Sequence, residues 1–197
     1  MQHSATGRYV NCMEEIRGRV SVVEAVGQHR VTTGLQRCDI EIVFLQMRKV
    51  LELIAFASLT ANKEKYSLAH AKFAEHWNAK RMLEELAKIN PAFYPIPMAH
   101  PVLQPSGMKH WEPLTEGFLT RDDFVKLYDT ASEFLHVTNP FTIKDPQMQM
   151  AYSMKGWVER IKALLALHMM TLVDDQRWII QIPDSGEIKL LIAVPRN

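Results

Sequence analysis

The chain has 197 residues, 47% of them hydrophobic and 23% charged, with a formal net charge of +1. That length suits a single domain, 1–197, with one buried core. The near-neutral charge removes any global electrostatic attraction to nucleic acid or to a membrane surface.

Two cysteines, Cys12 and Cys38, have 25 residues between them. They form no CxxC pair and give no metal-ligand spacing, which fits a reduced, cytoplasmic compartment. The opening "MQHSATGRYVNCMEEIRGRV" lacks the apolar run of a signal peptide. Residues 11–30 carry Met13, Ile16, Val20 and Val23 on one helical face, although Gly18, Gly27 and the valines are weak helix formers. "TTGLQRCD" reads as a turn, with Asp39 as an N-cap.

Residues 39–62 give the strongest helical signal. Ile40, Val43, Phe44, Met47, Val50, Leu51, Ile54 and Ser58 form one stripe, and Ile42, Leu45, Leu53 and Phe56 widen it almost around the helix. Such a helix is surrounded by neighbours. Glu41, Arg48, Lys49 and Glu52 interrupt the segment, so it is a buried helix and not a membrane span. Residues 65–90 predict a third helix with Tyr66, Ala69, Phe73, Trp77, Leu83 and Leu86 on its apolar face. It ends at Asn90–Pro91, because the residue before proline disfavours helix. The first three helices thus occupy 11–90.

A Pro-rich connection follows over 91–118, with six of the ten prolines between Pro91 and Pro113. Phe93, Tyr94, Ile96, Val102, Leu103 and Trp111 argue for an extended segment packed on the helices, because disordered linkers are poor in such residues. The last two helices span 119–173. The first of them starts at Thr120 as N-cap and buries Phe124, Leu127, Tyr128, Ala131 and Leu135. The second covers 146–173, with Met150, Met154, Trp157, Ile161, Leu164, Leu165 and His168 near one face. The period then shifts to two. Over 177–195, Trp178, Ile180 and Ile182, then Ile188, Leu190, Ile192 and Val194, flank Pro183–Gly186 as a β-hairpin. The expected fold is mainly α: a bundle of about five helices, a long Pro-rich connection and a C-terminal β-hairpin.

Motifs for common chemistry are absent: no G-x-S-x-G, Walker A, G-x-G-x-x-G or H-E-x-x-H. Glu133 and His136 form a Glu-x-x-His pair on one helical face. A di-iron bundle needs a second such pair and further glutamates, and none is present, so no metal and no cofactor is expected. His70 and His76, and His100 and His110, have no ligand spacing. Arg48 and Glu52 are four residues apart on the central helix and make either a solvated ion pair or the wall of a cleft. His136 closes a helix, where the dipole favours its cation or where it serves acid–base chemistry.

The stretch "RKVLEL" in the long helix 39–62, and "YDTASEFLHVTNPF" in a later helix, over about 35–173, resemble the HEPN superfamily (higher eukaryotes and prokaryotes nucleotide-binding). That resemblance implies a small helical bundle that is either a metal-independent ribonuclease or an inactive binding or dimerisation module. Catalytic members carry an arginine a short spacer before the histidine. Here Asp129, Thr130 and Ala131 stand where that arginine belongs. The resemblance therefore points first to a binding or regulatory module in a bacterial defence or mobile-element setting, with a protein or RNA as partner. The alternative is a ribonuclease with His136 as base and Arg48 as the positive charge, and with Glu52, Tyr128, Glu133 and Asn139 binding. A third reading is a homodimer or larger scaffold built by pairing the exposed edge of the hairpin. No membrane partner is expected.

Overall fold

The computed structural model describes residues 4–62, 78–105, 107, 109–137, 150–172 and 176–193. Those residues are mainly helical, with five helices and a small antiparallel sheet that includes the C-terminal hairpin, as the sequence pattern predicts.

Helix α1 (Ala5–Gly27) starts at Ser4, whose hydroxyl oxygen accepts the Gly7 N–H at 3.0 Å. This satisfies one of the orphan donors of the first turn, so the helix begins well before residue 11. Tyr9, Met13, Ile16, Val20, Val23 and Val26 form its buried stripe. It ends earlier than residue 30. His29 takes the left-handed conformation at φ 55°. The His29 N–H donates to Val26 O, and the Arg30 N–H donates to Ala25 O, which closes the helix as a Schellman motif.

Helix α2 (Gln36–Ala61) begins before Asp39, and Asp39 is not its N-cap. Leu35 occupies the cap position without a side-chain bond. Asp39 sits in the first turn and reaches back to the preceding loop. Its carboxylate accepts the Thr33 N–H at 2.7 Å and the hydroxyls of Thr32 and Thr33. Those bonds, the Thr32 hydroxyl first, hold the Asp39 carboxyl below its usual range. The predicted stripe is buried from Val43 through Ser58, while Ile40 stays exposed. Helix α2 packs against α1, α3 and α4, the central position its apolar girth implies.

Helix α3 (Ala79–Ile89) starts at Asn78, whose side chain accepts the Arg81 N–H, and stops at the extended Asn90. Leu83 and Leu86 are buried as expected. The first part of the predicted helix 65–90, with Tyr66, Phe73 and Trp77, lies outside the described residues.

The Pro-rich connection is not structureless. It contributes β1 (Ile96–Pro97), β2 (Val102–Leu103) and β3 (Lys109–His110). β2 and β3 pair as a short finger. Phe93 is fully buried, but Val102 and Leu103 at the finger are exposed, so only part of the segment packs inward. Arg160 anchors its end. The guanidinium donates to Phe118 O at 3.0 Å, approaches Asp123 Oδ2 at 3.4 Å and lies 3.8 Å from the ring centre of Tyr152.

Helix α4 (Arg121–Phe134) starts at Thr120, whose hydroxyl oxygen accepts the Asp123 N–H at 3.1 Å. Helix α5 (Met154–Leu165) starts at Ser153 in the same way, later than the predicted 146, so Met150 precedes it and is not on its face, and it ends at Leu165, short of the predicted 173. The run after it is strand β4 (Leu167–Thr171), so His168 belongs to a strand and not to a helical stripe. In "LHMMT" Leu167, His168 and Met170 are buried and no residue is exposed, and a strand covered on both faces carries no period that separates it from helix.

Strand β5 (Arg177–Gln181) and strand β6 (Lys189–Ala193) form the hairpin. The sheet order is β1-β4-β5-β6, all antiparallel. Its inner face, with His168, Met170, Trp178 and Ile180, lies in the core together with α1. Tyr9 meets Trp178 edge to face at 5.7 Å.

Candidate functional site

The two helices that contain the stretches carrying the resemblance lie side by side. Phe44 of α2 stacks on Phe134 of α4 at 4.2 Å, and four residues on, Arg48 lies 5.3 Å from the ring centre of Tyr128. The two helices therefore run antiparallel. Arg48 Nε also donates to Glu52 Oε1 at 3.1 Å, and both side chains are about one-third exposed or less. Partial desolvation works against the Arg48 charge. The hydrogen bond with Glu52, the Glu52 charge and the Tyr128 hydroxyl outweigh it, and the net shift is upward. Lys80 of α3 pairs with Asp129 of α4 at 2.9 Å on the same flank.

Of the predicted residues, Arg48, Glu52 and Tyr128 are brought together. His136 is not. It follows the C-cap Leu135, its backbone N–H donates to Glu133 O at 3.2 Å, and its side chain is exposed. It lies eight residues beyond Tyr128, roughly 12 Å along the helix axis. Glu133 is exposed on the last turn of α4. Asn139 lies outside the described residues. The described contacts thus occupy Arg48 with an acid and an aromatic ring, and supply no cation beside His136.

A second site was not legible from the sequence. Met13, Ile16 and Val20 of α1, Ile161 and Leu165 of α5, and Ile182 after β5 enclose the floor of a cleft of about 260 Å³. Charges stand at its rim. Lys162 pairs with Glu24, and Arg17 pairs with Glu14 while donating to Pro183 O and Gly186 O. Asp184, in the β5–β6 turn, also lines the mouth and has no ion-pair partner among the described residues. The lining comes from three segments far apart in the chain, so no local motif could signal it. Such a cleft, apolar inside with a few convergent polar groups, is the usual form of a ligand site.

The buried polar groups elsewhere are structural. His168 Nδ1 bonds Leu165 O at 2.8 Å, and its Nε2 accepts the Tyr9 hydroxyl at 2.7 Å. Burial depresses the His168 pKa to about 4, so the ring is neutral. Burial, with Glu15 nearby, pushes the Cys12 thiol up to about 11, which keeps it protonated and unreactive. Among the described residues no group of three or more His, Cys, Asp and Glu could hold a metal ion, and no helix is long and apolar enough to cross a membrane.

No family model, curated protein or solved structure matches the chain.

Proposed function

We propose that the chain is a HEPN-like helical binding module, and not a ribonuclease, that takes an apolar ligand carrying a positive group in the cleft between α1, α5 and the β5–β6 turn. The defence or mobile-element setting follows from the resemblance alone. The packing of Arg48, in "RKVLEL", on the ring of Tyr128, in "YDTASEF", supports the resemblance.

The observation that carries the binding reading is the cleft itself. Its floor of Met13, Ile16, Val20, Ile161, Leu165 and Ile182 rewards an apolar group of aromatic size. Glu24 is paired with Lys162 and Arg17 with Glu14, which leaves Asp184 as the charge at the mouth without an ion pair among the described residues. A carboxylate there selects for a cation.

An NMR titration of the isoleucine methyls with tryptamine, and with its neutral analogue 3-ethylindole, tests this. The amine should shift the methyls of Ile16, Ile161 and Ile182 and bind more tightly than the neutral analogue. Asp184→Asn should remove that preference, and Ile161→Trp should fill the cleft and abolish both titrations. Shifts elsewhere, or none, would sink the cleft as a ligand site.

A further inference from the structure

Strand β6 is the open edge of the sheet, and among the described residues no strand pairs with its outer side. Antiparallel sheets with one face on the core usually present polar residues on the other. One row of the outer face departs from that pattern, between rows that carry Gln181 and Lys189 on one side and Thr171 and Arg177 on the other. Ile96, Met169, Ile179 and Leu191 are directly opposed in register across all four strands, and Leu191 at the edge is 62% exposed. Ile192, on the inner face, is 54% exposed because it overhangs the core at the same edge. Edge strands are normally blunted by charge or proline. Within Lys189–Ala193 there is one charge, Lys189, at the end.

We infer that β6 is a self-association surface, on which a second copy of this chain pairs its own β6 antiparallel about a two-fold axis at Leu191. The occupant follows from the strand's own sequence. A two-fold seam requires that residue i face j while j faces i. Centred on Leu191, Lys189 faces Ala193, Leu190 faces Ile192, and Leu191 faces itself. No like charges oppose each other, and the two exposed apolar residues are both covered. The outer apolar row then runs unbroken through both copies, Leu191 against Leu191. A centre at Leu190 sets Lys189 opposite Leu191, and a centre at Ile192 confines the pairing within the strand to residues 191–193, so the Leu191 centre alone pairs all five residues of β6. The inference is independent of the cleft, whose lining does not include β6.

The seam is short, so the dimer depends on concentration. Sedimentation equilibrium of the full chain should show reversible dimers. Leu191→Lys places two lysines on the axis and should weaken the dimer on the order of tenfold or more at unchanged melting temperature. Leu191→Glu should do the same alone, and an equal mixture of the two variants should restore dimers. Wild-type protein that stays monomeric overturns the inference. A dimer that survives Leu191→Lys overturns it, because the surface lies elsewhere, and a mixture that stays monomeric overturns the axis at Leu191. Amide exchange of the wild type gives the same answer without substitution. Residues 189–193 should exchange more slowly at dimer concentrations than in dilute solution, and equal rates would count against the seam.

Discussion

The Tyr9 hydroxyl donates to Nε2 of His168 at 2.7 Å across 159 residues of chain, and ties the first helix to a central strand of the sheet. His168 Nδ1 is bonded to Leu165 O, so only the neutral ring with its proton on Nδ1 satisfies both partners. Desolvation sets its pKa near 4 against 6.5 for a free histidine. The unfolded chain therefore takes up the proton first as pH falls. Stability is complete above about 6.5, declines down to about 4 and levels off below that, for a loss on the order of 3 kcal/mol from this group. Urea unfolding at a series of pH values should show that slope. His168→Gln retains an acceptor for Tyr9 but cannot titrate, and should flatten the same window. Equal slopes in the two proteins would refute the assignment.

Arg48 and His136 separate the binding reading from the catalytic one. Metal-free RNA cleavage needs a base and a positive charge on the same phosphate. Arg48 is engaged by Glu52 and Tyr128, and His136 is exposed two turns away. Neither wild type nor His136→Ala should cleave structured or single-stranded RNA in EDTA, and the two should agree in stability within about 0.5 kcal/mol. Arg48→Ala should cost about 1 kcal/mol, since it removes a ring contact and strands Glu52. Cleavage by the wild type that His136→Ala abolishes would reverse the reading.

What was legible in the sequence is what short-range pattern encodes. Thr120 as a cap, the α2 stripe from Val43 to Ser58, and the hairpin around Pro183–Gly186 each depend on residues within a turn or two of each other. β4 was not legible, because Leu167, His168 and Met170 are buried on both faces of a strand and follow a helix without a breaker. β1 was hidden by Pro95 and Pro97, which argue against a central strand; as an edge strand it tolerates them. Arg48, Glu52 and Tyr128 were named from their types, and packing brought them together. The cleft, the Tyr9–His168 bond and the outer apolar row each need the tertiary register, which no local period contains.

His29 holds the left-handed C′ position of the α1 motif at φ 55°. A side chain there costs about 1 kcal/mol relative to glycine. His29 is exposed, so its imidazole has little packing to lose. His29→Gly should raise stability by about that amount in thermal or urea unfolding, and His29→Ala, which keeps a Cβ, should give no comparable gain. A loss in His29→Gly would mean that the imidazole makes a stabilising contact in solution.

Ser58 is fully buried in α2, and its Oγ has no hydrogen-bond partner among the described residues. Its backbone carbonyl is independently satisfied by Asn62 Nδ2 at 2.8 Å, part of a polar bridge that continues through Asn90 to Thr171 O. An unpaired buried hydroxyl carries a desolvation cost of about 1–3 kcal/mol, and alanine is the better helix former. Ser58→Ala removes one oxygen and leaves the bridge intact, since the bridge uses only the carbonyl. Urea unfolding should therefore show a gain of about 1 kcal/mol with an unchanged m-value. A loss instead would mean that the hydroxyl is hydrogen-bonded in solution, by water or by a neighbouring group.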